Sequence, residues 1–440
     1  MPHRKILRIL VAAIACGFLF NAAACEKTSH ESIEKWETSK KGMGKLKSTL
    51  TDRSIDPDLS AHAAEVLLRK LEDTYVRTTL EQMESGRRAK VIEKLAPRLW
   101  TMARIEGEMT APSQRQMTAK DALVDIRPWA DQATRDVIDG YLTDWLTGGY
   151  YEGRAAAGRH TGAQIIRMLG PRTGERLIAE ANRIIATPDQ AGKRRKIGDE
   201  LLLGLAVSGS PEAVKLVLDI FAMDRGDSTL PDRAMASLFR AYLDSGGAYP
   251  LADPVAIKPH VARIGEIAKD DAQTPQIAND AVGLMRAAGM PECLEPLLAM
   301  IAHPHRNPRF LWVAVNNSLR CGGPAALARV VEGIPTSGSF HHKDLGGATW
   351  ETLPTLGQRE GFIEAARPLL GSKSWVARWI AAETLGALSA KSDAEAVAKL
   401  AGDKSRLVGF WGDQSQVPKA QRKAEPTLGQ RASEIAATLR

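Results

Sequence analysis

What most constrains the fold of this 440-residue chain is how often it interrupts its own helices. Apolar residues recur at helical spacing, as at Val214, Val217, Leu218 and Phe221, and again at Ala377, Ala381, Leu385 and Leu388. No run of alternating apolar and polar residues bounded by turns appears after Cys25, so strands are not expected. The periodic pieces run for roughly 10 to 16 residues before Gly or Pro stops them, too short to be stable alone, so they must stack. The expected pairs are 211–222 with 232–245, 257–269 with 274–288, 291–302 with 308–320, and 361–370 with 374–388.

The junctions repeat as well. Gly209-Ser210-Pro211-Glu212 returns 80 residues later as Gly289-Met290-Pro291-Glu292, and Gly322-Gly323-Pro324 is a relative. Each is a helix stop joined to a helix start. Glycine takes the left-handed conformation that ends a helix, proline at the first helical position gives up an N–H that had no partner, and Glu complements the positive helix end. Eighty residues is two units of about 40. Pro354-Thr355-Leu356-Gly357-Gln358-Arg359 also recurs letter for letter as Pro426-Thr427-Leu428-Gly429-Gln430-Arg431, 72 residues on.

The stretch from Ser374 to Leu388, with Arg378, Ala381-Ala382 and Leu385-Gly386, resembles the second helix of HEAT-like repeats, including the short variety found in bilin lyases. Asp393-Ala394-Glu395-Ala396-Val397 then opens the next unit as that family does. The resemblance runs from about Gly209 to Arg440 and extends back to about Thr118. It implies an all-α, armadillo-type fold: a right-handed α-solenoid of stacked antiparallel helix pairs. Domains are expected at 1–24 (a leader), 25–112 (a helical region, with 33–50 and 59–71 as a pair and Ala111-Pro112-Ser113 as linker) and 113–440 (the repeats).

The leader is read from Arg4, Lys5 and Arg8, an uncharged run from Ile9 to Phe20, and Ala22-Ala23-Ala24 before Cys25. This is the charged, apolar and small-residue order of a signal peptide, and its apolar run is too short to span roughly 30 Å of hydrocarbon. Cys25 after three alanines resembles the lipobox of bacterial lipoproteins, although Ala22 stands where that family usually has Leu; Cys16 is a second candidate. The resemblance implies acylation of Cys25, and Glu26 after it favours the periplasmic face of the outer membrane.

Lys+Arg 59 against Asp+Glu 52 falls to 56 against 52 once the leader's Arg4, Lys5 and Arg8 are removed, too mild a balance to indicate a nucleic-acid partner. The motifs of metalloproteases, serine hydrolases, thiol redox proteins and dinucleotide-binding folds are absent, so no catalytic residue, cofactor or metal is expected. Gly42-Met43-Gly44-Lys45 lacks the other parts of a phosphate loop and reads as a solvated helix. His303-Pro304-His305 and His341-His342 lack a third ligand nearby and read as loop histidines. Lys193-Arg194-Arg195-Lys196 reads as a solvated turn, the alternative being a phosphate-binding patch. Trp145, Tyr150 and Tyr151 read as packing aromatics, the alternative being a sugar-stacking loop.

Cys293 and Cys321 start one helix and end its antiparallel partner, so the hairpin brings them to the same end. A disulfide is expected, with two buried free thiols as the alternative. Two connections of about twenty residues, preceding the two hexapeptides, exceed the roughly 2 to 8 residues usual between bundled helices. The first holds Phe340, His341, His342, Lys343 and Trp350; the second holds Arg406, Phe410 and Trp411. Because both occupy one place in a repeat on this reading, they are expected on one edge as a partner-binding stripe, or else as caps on the last repeats. The expected function is a non-catalytic scaffold or adaptor lipoprotein that binds another protein of the cell envelope and meets the membrane through its lipid. The alternatives are a lyase-like, cofactor-handling repeat protein and a glycan- or lipid-binding envelope module.

Overall fold

The computed structural model describes residues 28–105, 111–147, 151–188, 196–223, 226–303, 308–334, 346–411 and 414–440. Among these the chain is all-α with a helical repeat-like arrangement, and the only strand-like pairing is an isolated bridge between Arg406 and Thr427. It divides into two compact units, Met1–Ile165 and Ile166–Arg440. The sequence-based division at residue 112 lies inside the first of them. Cys25 and the leader fall outside the described residues, as do Tyr150, Lys193, Arg194, Arg195, His305, Phe340, His341, His342 and Lys343.

The first unit holds α1 (His30–Thr38), α2 (Gly42–Thr51), α3 (Pro57–Arg69), α4 (Asp73–Gln82), α5 (Ser85–Ala103), α6 (Gln114–Ile126), α7 (Gln132–Thr147) and α8 (Tyr151–Ala155). The single helix expected over 33–50 is two, because the chain turns at Ser39–Lys41 and the Gly42 N–H donates back to the Ser39 carbonyl at 3.0 Å. Trp145 and Tyr151 are buried, and the Trp145 indole donates to the Arg154 carbonyl at 3.1 Å, so these aromatics pack inward.

A helix labelled α9 (Gly162–Leu169) spans the division. Beyond it the second unit forms two rows. One row is α10 (Arg172–Ala186), α12 (Pro211–Phe221), α14 (Val261–Lys269), α16 (Leu294–Ala302), α18 (Ala326–Gly333) and α20 (Arg359–Ala366). The other is α11 (Asp199–Val207), α13 (Leu230–Tyr242), α15 (Pro275–Ala288), α17 (Pro308–Gly322), α19 (Gly347–Thr352), α21 (Trp375–Ala387) and α23 (Leu428–Leu439), with the short α22 (Ala394–Ala398) packed on α23. Each helix packs on its predecessor and successor in its own row, α12 reaching α14 through the 3-10 turns that precede α14, and the hairpin pairs α10–α11, α12–α13, α14–α15, α16–α17 and α20–α21 pack on each other. The core lies between the rows, where Val214, Leu238, Ile264, Met285, Leu297, Val315 and Val330 are buried.

Local chemistry explains the helix ends. Gly209 and Gly289 have φ of 71° and 73°, as a stop requires. Ser210, Thr274 and Ser374 cap the helices that follow by accepting from the N–H three residues on. The duplicated hexapeptide, in contrast, does not mark one place in a repeat. In its first copy Gly357 is left-handed (φ 73°) and the next helix is α20, of the first row. In its second copy Gly429 is helical and Thr427 caps α23, of the second row, through a capping box with Gln430. A shared edge therefore cannot be deduced from the repeat.

Cys293, just before α16, and Cys321, in the last turn of α17, 28 positions apart in sequence, are joined by a disulfide with Cα atoms 6.4 Å apart. Reduction is expected to remove about 2–4 kcal/mol of stability, read as a lowered denaturant midpoint that Cys321→Ser reproduces without reductant. Two reactive thiols in the unreduced, denatured body of the protein would contradict the pairing.

Candidate functional site

In the second unit, α19, α21, α23 and the connection leading to α23 enclose a cleft of about 410 Å³. Three of its walls are aromatic: Trp350 of α19, and Phe410 and Trp411 of the connection. Its polar lining includes Glu351, Glu383 and Glu434 against the single guanidinium of Arg431.

Each of these is positioned by a traceable device. The connection is fastened at its base, where Leu407 N–H donates to the Pro426 carbonyl (2.9 Å), Leu428 N–H to Ser405 (2.8 Å) and Gly429 N–H to Asp403 (2.9 Å). Asp403 is in turn held by Arg378 of α21 at 2.6 and 2.9 Å. Burial would raise the Asp403 carboxyl, but Ser405 and Arg378 outweigh it and hold the group below the usual carboxylate range. Above this base the chain is packed by its own groups. Phe410 N–H donates to Glu425 at 2.8 Å, the Trp411 indole donates to the Ala424 carbonyl at 2.9 Å, and Lys423 Nζ stands 4.6 Å from the Trp411 ring centre. Compact loops closed at the base and filled by their own side chains are frequently functional.

At the cleft floor, Glu383 is buried. It accepts from the Trp379 indole (3.1 Å) and from Arg431 Nε and Nη2 (2.8 and 3.1 Å), while Arg431 Nη1 donates to Glu434 at 2.9 Å. Burial alone would lower the Arg431 pKa; the two carboxylates outweigh it and push it up, so the guanidinium stays charged. Behind this floor lies a tryptophan cluster. Trp312 meets Trp350 and Trp379 edge-on at 6.0 and 5.9 Å between ring centres, and Trp375 stacks on Trp379 at 6.4 Å.

Trp350, expected in the first connection, lies instead in α19, and it lines one cleft with Phe410 and Trp411 of the second. Trp350 is only 7% exposed and Phe410 is buried, so neither is a free aromatic on an edge; Trp411 is half-buried, and Arg406 is exposed outside the lining. Glu351, Glu383, Arg431 and Glu434 were not anticipated. Arg431 and Glu383 come from helices 48 residues apart in sequence, and nothing local marks them as partners. Its buried acid is committed to Arg431, the rings of Trp411 and Phe410 already carry Lys423 and Arg431 at 4.6 and 5.8 Å, and Glu351 adds an exposed carboxylate to the wall.

A second cavity, about 420 Å³, lies in the first unit beside Asp121, Gly158 and Arg159. It borders a fully buried lysine. Lys120 Nζ donates to Asp121 Oδ1 (2.6 Å) and to the carbonyls of Ala157 (2.7 Å) and His160 (2.5 Å), which uses all three of its hydrogens. Asp121 also accepts from the backbone N–H groups of Arg159 (2.7 Å) and His160 (3.0 Å). Gly158, with φ 82°, has room for no side chain: a Cβ would stand 2.7 Å from Lys120 Nζ. Burial pushes the Lys120 ammonium below the usual lysine range, but every donor is spent on the loop, so the group is a clasp and not a nucleophile.

No known family model matches the chain, and no curated protein matches it. Among solved structures, the chain is similar to an engineered protein at 13% identity, over 90% of this chain and 98% of that one, with a TM-score of 0.27. It is similar also to human deoxyhypusine hydroxylase in complex with glycerol at 15% identity, over 79% of this chain and 96% of that one, with a TM-score of 0.21. At these scores neither likeness carries an argument about function. Among the described residues no group of three or more His, Cys, Asp or Glu is placed to hold a metal ion, and no helix is long and apolar enough to cross a membrane.

Proposed function

We propose that the protein is a lipid-anchored, non-catalytic adaptor of the cell envelope, whose second unit is a right-handed solenoid of HEAT-like helix pairs and whose cleft holds a basic segment of a partner protein. Acylation at Cys25, with the outer membrane's periplasmic face as the address, rests on the order of the leader's residues. The binding role rests on one observation: Trp350, Phe410 and Trp411 converge on a cleft where, among the described residues, three carboxylates stand against one guanidinium. Charge complementarity selects the partner's sign, and the half-buried Trp411 supplies contact area. Group transfer has less support, because the buried Glu383 is engaged by Arg431 and Trp379 and both thiols of the repeat unit are joined.

Glu351, exposed on the cleft wall, allows a test that spares the fold. Titrating the full chain with a Lys/Arg-rich peptide is expected to show saturable binding that Glu351→Lys weakens about tenfold or more at an unchanged melting temperature. Binding of a neutral oligosaccharide in place of the peptide, indifferent to Glu351→Lys, would overturn the reading in favour of a glycan module.

A further inference from the structure

His30, the first residue of α1, and His62, in the middle of α3, meet nitrogen to nitrogen, with Nδ1 to Nδ1 at 2.8 Å and ring centres 5.0 Å apart. The outer nitrogen of each ring faces a carboxylate: His30 Nε2 lies 3.0 Å from Asp58 Oδ2 and His62 Nε2 lies 2.6 Å from Glu34 Oε1. Both carboxylates are held ionised. At Asp58 burial would raise the carboxyl, but Arg98 and His30 outweigh it; at Glu34 Arg69 and His62 do the same.

The positions of the ring hydrogens follow. An ionised carboxylate accepts and never donates, so both Nε2 atoms carry hydrogen. Two neutral rings with hydrogen on Nε2 would then turn bare Nδ1 lone pairs toward each other. A contact of 2.8 Å between them requires one more hydrogen on the line. Four ring nitrogens therefore hold three hydrogens, one proton more than two neutral imidazoles carry. We infer that His30 and His62 form a one-proton binding site that fastens α1 to α3 only in its singly charged state, so that the docking of the first helix weakens on both the acid and the alkaline side of neutrality.

The sign of each limb follows from counting protons. Toward low pH the unfolded rings hold four hydrogens against three in the docked pair, because a fourth would set N–H against N–H; stability then rises with pH. Toward high pH the unfolded rings hold two against three, and stability falls as pH rises. The charged groups tied to the two carboxylates are Glu37 on α1, Glu65 and Arg69 on α3, and Lys94 and Arg98 on α5, while Glu31 pairs with Lys35, and Lys45 and Lys47 of α2 turn to Trp36 and to Tyr75 and Glu72. His62 is 6% exposed and His30 48%, so protons reach the pair from the His30 side.

The test uses the full chain, with amide exchange corrected for its intrinsic dependence on pH. Protection of the α1 amides is expected to peak near neutrality and to fall by up to about tenfold per pH unit on each side, while His30→Gln, which cannot bind the shared proton, flattens the profile. An unchanged bell in His30→Gln, or a flat profile in the wild type, overturns the inference. If the variant does not fold, nitrogen NMR of the wild-type rings at pH 7 decides, since three ring N–H hydrogens across the pair support it and two refute it. Protection by micromolar Zn²⁺ that no longer depends on pH would also overturn it, showing a metal to be the natural occupant.

Discussion

Replacing Lys120 by Met is expected to cost about 3–5 kcal/mol, enough to unfold a marginal domain at growth temperature. Met keeps the length and apolar stem of lysine, so the change isolates the ammonium. Its loss leaves the Asp121 carboxylate without its cation and the carbonyls of Ala157 and His160 without their donor, in a place where Lys120 itself has no exposed surface. Breaking one side of a buried pair costs more than the pair contributes, because the remaining charge stays desolvated. The loop from residue 157 to 160 should loosen first, and with it the contacts of Arg159 and His160 to Asp125. Urea denaturation of wild type and variant checks this, and a loss below about 1 kcal/mol would show that water replaces the ammonium without penalty.

Trp379→Ala should be of similar size, about 3–5 kcal/mol, for a different reason. The ring is fully buried and in contact with Trp312 and Trp375, so truncation opens a large cavity where α17, α19 and α21 meet. It also removes one of the donors to Glu383. Trp379→Phe, which fills most of the space but supplies no N–H, should recover the larger part of the loss; equal losses in both variants would assign the effect to the hydrogen bond instead of to packing. Circular dichroism in denaturant is sufficient to separate them.

Several helix starts were legible in the sequence because stop and start signals act within three or four residues: the expected starts at Pro211, Thr274 and Ser374 lie within a residue of those found, whereas Pro291 precedes its helix, which begins at Leu294. The Cys293–Cys321 pair was legible because an antiparallel hairpin fixes which ends meet. The hexapeptide misled because its letters do not determine its conformation. Gly357 turns the chain, whereas Gly429 enters a helix against the backbone of Ala401, so close that a Cβ would collide with its carbonyl. Arg359 ends on the carbonyls of Leu388 and Ser389, closing α21, and its counterpart Arg431 reaches Glu383 in the cleft. Lys120 was invisible because its burial depends on a loop about forty residues away, and a lysine within a helix reads locally as solvated. Trp350 and Phe410 were flagged for their aromatic character and belong to the cleft, but their inward orientation is a product of packing that no single segment encodes.

The central claim is that the cleft is where a partner protein is held, and a photo-crosslinking residue placed at Glu351 in the full chain, expressed in cells, tests it most directly. The account predicts one stoichiometric protein adduct, whose crosslinked peptide is rich in Lys or Arg, lost when Glu434→Lys and Trp411→Ala are introduced together and retained when the same probe chain carries a charge reversal at the distant, exposed Lys215. Adducts confined to glycan or lipid, or a protein adduct indifferent to the cleft substitutions, would contradict it.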